Sequence, residues 1–216
     1  NGVDDNCAGG IDEGAASTLC GGNPPNGYAG CSTLCFVASC VNTYFNVDGA
    51  YSNGCEARQD SYDINNQGDF CGDSGGNQAY YLDSAMYDTD PVKYIDVTGN
   101  IIPSGDVDWY KVRMLDGGTG GMDFNADVRF TSNPGGRYRF HVYQNSCGSI
   151  VCASSQIYNY KSDFAWNGSV GNQDCSGTAR NHCDAVPARY YYVVVFRPDN
   201  GVTNENYVLR LSNGLY

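Results

Sequence analysis

From about residue 92 onward, apolar and polar positions follow one another in short bursts of period two, broken at regular intervals by turn residues. The runs Val92–Val97, Trp109–Leu115, Asp123–Thr131, Arg137–Tyr143, Gln156–Tyr160, Tyr190–Arg197 and Tyr207–Leu211 are rich in β-branched and aromatic residues, with Gly, Asn, Asp and Pro between them. In Arg137–Tyr143 the alternation puts Tyr138, Phe140 and Val142 on one face and Arg137, Arg139, His141 and Tyr143 on the other, as a half-buried strand requires. Pro134-Gly135-Gly136 and Asp199-Asn200-Gly201 supply the fixed and positive φ angles of tight turns. Seven such runs, with no long amphipathic helix, predict an all-β domain: an antiparallel β-sandwich of jelly-roll-like type. The closing run turns Tyr207, Leu209 and Leu211 inward and Val208 and Arg210 outward. It contains no proline and lies at the C-terminus, so it is expected at a sheet edge, where it could accept a neighbouring strand.

The first third of the chain has a different pattern. Large apolar residues are sparse and cysteines dense: Cys7, Cys20, Cys31, Cys35, Cys40, Cys55 and Cys71 precede residue 76, and only Cys147, Cys152, Cys175 and Cys183 follow it. A segment this poor in core residues needs bridges to hold it. The prediction is therefore an N-terminal, disulfide-stapled, loop-rich small domain over 1–75 and the sandwich over 76–216. Cys40 with Cys55 would close a compact loop, and Cys147 with Cys152 and Cys175 with Cys183 are each close enough for local bridging, although connectivity does not follow from spacing. Eleven cysteines without a C-x-x-C pair, and only two histidines, indicate disulfides rather than metal ligands. The compartment they imply is oxidising, extracellular or at the cell surface.

Charge sharpens the division. The formal charge is −12, and residues 1–75 contribute ten acids against one base, Arg58, while residues 76–216 hold fourteen acids and eleven bases. So acidic a chain repels nucleic-acid phosphates and anionic lipids and favours cations. The longest apolar run, Tyr190–Phe196, is far below the roughly 18 residues of a membrane span. A soluble chain without membrane insertion is expected. It begins at Asn1 rather than Met, and removal of a secretory segment is the corresponding expectation.

Three resemblances follow from particular motifs. The segment Val97-Thr-Gly-Asn-Ile-Ile-Pro-Ser-Gly-Asp-Val-Asp-Trp-Tyr-Lys-Val112, with Tyr190–Phe196 and the closing Asn206-Tyr-Val-Leu-Arg-Leu-Ser212, resembles the bacterial pre-peptidase C-terminal domain, a small β-sandwich appended to secreted enzymes and surface proteins. Members often bind calcium, and the resemblance carries Asp106 and Asp108 over as ligands. Asn1-Gly-Val-Asp-Asp-Asn-Cys-Ala-Gly-Gly-Ile-Asp-Glu13 resembles the aspartate-rich metal-binding motif D-G-x-D-N-D-C-D-G-x-x-D-E of bacterial secreted and surface proteins. Here Asp4, Asn6, Asp12 and Glu13 would supply oxygens to calcium, while Ala8 replaces an acid of the pattern. A cysteine commonly precedes that motif, which leaves three readings of Cys7: a partner lost to processing, a downstream partner such as Cys71, or a partner in another chain. The run from Cys20 through Asn53-Gly-Cys-Glu56 resembles the cysteine-rich repeats of myxobacterial-type surface proteins.

Catalytic motifs do not assemble. Cys71-Gly-Asp-Ser-Gly-Gly76 reproduces the string around the nucleophile of trypsin-like proteases, but no histidine precedes Ser74, and that family places its base and acid before the serine. Gly72–Gly76 reads instead as a linker. His141, on the outer face of a strand, and the distant His182 do not suit zinc. Asn167-Gly-Ser169 fits a glycosylation acceptor. Three function classes stand: a non-catalytic structural or adhesive protein that self-associates into an oligomer or polymer; an accessory fragment of a larger secreted hydrolase that anchors polysaccharide or protein; and a carbohydrate-binding module stacking sugars on Trp109, Trp166 and Tyr160. The first is expected, with calcium as its cofactor.

Overall fold

The computed structural model describes residues 15–32, 34–64, 68–72, 78–87, 93–115, 125–148, 150–153, 159–164, 170–174 and 189–213. The described chain is almost entirely strand and turn. In order it runs α1 (Ala16–Leu19), β1 (Gly27–Cys31), β2 (Cys35–Cys40), β3 (Tyr44–Phe45), β4 (Ala57–Arg58), α2 (Ser61–Ile64), β5 (Tyr80–Tyr87), β6 (Lys93–Gly99), β7 (Val107–Leu115), β8 (Asn125–Ser132), β9 (Arg139–Gln144), β10 (Ile150–Ala153), β11 (Asn159–Phe164), β12 (Val170–Asp174), β13 (Arg189–Phe196) and β14 (Tyr207–Asn213). Two compact units divide it. One contains Asn1–Asp60 with Ile102–Ser104 and Val202–Asn204; the other contains Ser61–Ile101, Gly105–Gly201 and Glu205–Tyr216. Helix α2 and Gly68–Gly72 therefore group with the larger unit, where the sequence pattern put the boundary at 75.

The larger unit has two five-stranded sheets, in the orders β10-β9-β13-β7-β5 and β12-β11-β8-β14-β6. Their inner faces share one core. From the first sheet come Met86, Tyr110, Val112, Met114, Phe140, Val142, Tyr191, Val193 and Val195, and from the second Val97, Ala126, Val128, Tyr207, Leu209 and Leu211. The predicted period two is visible in the alternating burial along β7 and β9, which turns Tyr138, Phe140 and Val142 inward. Register follows from that pattern: Val193 lies opposite Tyr110 on one side and Val142 on the other. All the described pairings are antiparallel except β5 with β7, which is parallel.

Two expectations are corrected here. The closing strand β14 keeps its predicted inward face but is not at an edge, since it pairs with β6 on one side and β8 on the other. Pairing on both sides makes it a central strand, and among the described residues the edges of this sheet are β12 and β6. Cys147 does not bridge locally to Cys152. It pairs with Cys71, which also removes Cys71 as a partner for Cys7. The chain from 150 to 153 is freed to form β10 beside β9. Cys175 and Cys183 lie outside the described residues.

The smaller unit has two short two-stranded sheets, β1-β2 and β3-β4. Its bridges are Cys20–Cys35 and Cys40–Cys55, the latter as the loop arithmetic anticipated, and Cys31 is disulfide-bonded as well. Apart from Ile102 and Thr203, its buried positions hold small side chains: Pro24, Gly27, Gly30, Gly54, Cys55 and Ala57. The Cys55 sulfur occupies the place of a core side chain, and a Cβ on Gly27 would meet it at 3.0 Å. Gly54 is the tightest point. Its φ is +68°, and a Cβ there would lie 2.1 Å from the Pro25 carbonyl oxygen, which accepts the Cys55 N–H at 2.9 Å. Gly54→Ala should therefore destabilise this unit by about 2–5 kcal/mol, from the left-handed backbone and from a clash with main chain that cannot rotate away. Faster proteolysis between residues 20 and 60 is the expected readout; unchanged protection would contradict it.

Candidate metal centre

The acid-rich corner of the larger unit is built by packing three separated pieces of chain. Helix α2 has only four residues, and an isolated turn of that length has no stability of its own. Tyr62 fastens it, its ring lying edge-on to Tyr80 at 4.5 Å and to Tyr110 at 5.4 Å. The next piece is held by backbone: Gly68 donates to the Gln78 carbonyl at 2.8 Å and accepts from the Trp109 N–H at 2.5 Å. Cys71–Cys147 anchors its far end. These contacts set Asp63, on α2, and Asp69 against the start of β7, where Asp106 and Asp108 stand.

One carboxylate oxygen each of Asp63, Asp69 and Asp106 lies within 4.8 Å of the others, and oxygens of Asp63 and Asp108 are likewise within 4.8 Å. Both Asp63 oxygens, Asp106 Oδ2 and Asp108 Oδ1 are shielded from solvent. Burying anions side by side is costly unless something positive offsets them. Burial alone raises the Asp69 pKa, because desolvation disfavours its charged form. All-oxygen donors suit a hard cation. Such a group of carboxylates could hold a metal ion.

Asp108 faces inward and has a second role. Its Oδ2 accepts from the Tyr207 hydroxyl at 2.5 Å, and that hydroxyl is 2.5 Å from the hydroxyl of Tyr110. Burial, then the Asp108 charge, hold the Tyr207 pKa well above its ordinary value, so the phenol stays a neutral donor. This chain links β7 of one sheet with β14 of the other across the core. Asp108 is thus part of the sandwich's internal bonding, while Asp63, Asp69 and Asp106 form a second group of three carboxylates.

Of the residues carried over from sequence resemblance, Asp106 and Asp108 lie in this cluster. Asp4, Asn6, Asp12 and Glu13 fall outside the described residues, as do Ser74, Trp166, Asn167 and His182. Asp63 and Asp69 were missed because they sit far along the chain from Asp106, where no local spacing marks them. Trp109 packs against Tyr143 with ring centres 5.2 Å apart, and His141 lies on the Phe196 ring at 4.8 Å, its pKa lowered by burial. Tyr160 belongs to β11.

No family model, no curated protein and no solved structure matches this chain.

Proposed function

We propose that this is a non-catalytic structural or adhesive protein of the cell exterior, a subunit that self-associates head to tail and is stabilised by calcium. The observation that carries the reading is the uncovered apolar side of the β1–β2 hairpin. Tyr28, Leu34 and Phe36 are 53%, 77% and 45% exposed in a unit that buries few large side chains. Phe36 lies opposite Gly30 and its ring crosses it, so the aromatic is presented outward by a platform with no side chain of its own. Apolar side chains grouped this way on a disulfide-bonded protein are surface for a partner. A second copy offers a receiving element. Strand β6 is a regular seven-residue edge strand with β14 as its hydrogen-bonded neighbour among the described residues, and an edge of this kind can pair with another chain.

The cross-links support the same reading. Three disulfides among the described residues indicate an oxidising, extracellular environment, and no described helix is long and apolar enough to cross a membrane. A calcium ion at Asp63, Asp69 and Asp106 would join α2, the segment after it and β7 in the manner of a further staple. It would also offset part of the charge that keeps acidic copies apart. Light scattering and electron microscopy test the assembly. Polymers or large oligomers are expected with calcium, loosened by chelator and dispersed by the double change Leu34→Asp and Phe36→Asp. A species that stays monomeric at high concentration with and without calcium would overturn the reading and favour an accessory fragment of a larger secreted hydrolase.

A further inference from the structure

Two adjoining hollows lie beside Tyr81, on the edge strand β5 of the first sheet. One, of about 250 Å³, is lined by Gln78, Ala79, Tyr80 and Tyr81, and the other, of about 230 Å³, by Gly72, Gln78, Ala79, Tyr81 and Lys111. The Tyr81 ring is 46% exposed but held. Its hydroxyl is hydrogen-bonded to that of Tyr190, and the Lys111 ammonium lies over the ring at 5.2 Å from its centre, as it lies over Tyr190 at 4.5 Å and Tyr192 at 5.2 Å. The Lys111 charge is thereby engaged within the protein, and among the described residues no carboxylate lines either hollow. Gly72 and Gln78 shape the rest. A Cβ on Gly72 would meet nothing within 4 Å, and its φ is outside the left-handed region that favours glycine, so the missing side chain leaves clearance that the backbone does not require. The Gln78 carbonyl accepts the Gly68 N–H at 2.8 Å, whereas its exposed side-chain amide has no hydrogen bond among the described residues.

We infer that these hollows bind two successive rings of a neutral polysaccharide whose pyranoses carry equatorial substituents. Such a sugar turns its axial C–H groups outward as a flat apolar face, which a fixed, exposed tyrosine ring can cover. Its hydroxyls each donate and accept, and the unused Gln78 amide offers an acceptor oxygen and two donors to meet them. A peptide carbonyl would use the donors alone. Each hollow is below the roughly 300 Å³ at which sites for whole drug-sized ligands begin, so each takes a single ring. The two share Gln78, Ala79 and Tyr81, so a chain passes from one to the other along the tyrosine. This ligand rests neither on self-association nor on the metal.

Calorimetric titration of the whole protein with cellotetraose, chitotetraose and a proline decamer, all in chelator, tests the inference. At least one of the two sugars should bind, with an affinity that hardly changes between low and high salt because no ion pair forms. Tyr81→Ala, which removes the ring, and Gly72→Leu, which fills the hollow, should each weaken binding about tenfold. Gln78→Ala should cost about threefold, and Tyr81→Phe, which keeps the ring, less than either tenfold change. Circular dichroism matching the original protein shows that each variant is folded. Gly72→Leu, whose side chain enters open space, gives an independent reading should Tyr81→Ala fail to fold. Failure of both sugars to bind, or unweakened binding by folded Tyr81→Ala and Gly72→Leu, overturns the site. An affinity that falls steeply with salt overturns neutral recognition, and tighter binding of the proline decamer overturns the saccharide and points to a proline-rich peptide.

Discussion

Replacing Cys40 and Cys55 by serine is expected to unfold the smaller unit while the two-sheet unit keeps its structure. The bridge closes a loop with a sequence separation of 15, worth about 3 kcal/mol in unfolded-chain entropy. A unit of this size has a total stability of only about 3–9 kcal/mol, and here the bridge is also part of the core, since Cys55 is fully buried. Losing it removes the constraint and leaves a hole beside Gly27. Hydrogen exchange should show residues 27–58 losing protection while β7, β13 and β14 retain theirs. Mild reduction of the unaltered protein should follow the same order. Retained protection of residues 27–58 without the bridge would show that the rest of the unit holds without it.

Calcium should raise the unfolding temperature, and the acidic cluster predicts an inversion that a nonspecific ion effect would not produce. At a concentration one hundred times its dissociation constant, a ligand of the folded state adds about 2.7 kcal/mol, about 5–10 °C for a chain of this length. Asp63→Asn and Asp106→Asn should abolish most of that gain. In chelator the order should reverse, Asp63→Asn melting above the original protein, because it removes one of several crowded carboxylates. The pH dependence has the same sign. Burial raises the folded pKa of Asp69 above its ordinary value of 3.8, so the folded state binds more protons in the interval above that value. In metal-free protein this group therefore contributes stability that falls as pH rises through that interval, and calcium should cancel the loss. Melting curves that ignore calcium would remove the metal from this site.

The cluster was half legible in the chain. Asp106 and Asp108 stand two residues apart at the head of a strand, a pattern any reading of G-D-V-D-W-Y picks out. Asp63 and Asp69 carry no mark, since their place depends on Tyr62 packing on Tyr80 and Tyr110 and on Gly68 bonding to β7. Strand β5 was missed for a related reason. Asp83 and Ser84 interrupt its apolar pattern, and its register with β7 shifts on both sides of Asp83, as bulges at an edge strand do. Strand β10 was hidden by reading Cys147–Cys152 as a closed loop, and β12, Val-Gly-Asn-Gln-Asp, has almost no apolar content.

Strand faces were local information. Side chains alternate sides of a strand whatever lies around it, so Tyr138, Phe140, Val142, Tyr207, Leu209 and Leu211 could be assigned inward from the chain alone, and each is buried. The need for disulfides in the first sixty residues was likewise legible, because composition limits how much apolar surface a segment can hide. Strand order was not. Whether Tyr207–Asn213 lies at an edge or between β6 and β8 depends on which distant strands pair with it, and alternation is the same in both places. The pairing of Cys71 with Cys147 and the meeting of Tyr81, Lys111 and Tyr190 on three strands depend equally on long-range pairing. Such contacts form where burial of the shared core places them, and residues far apart in the chain show no sign of it until the sheets are assembled.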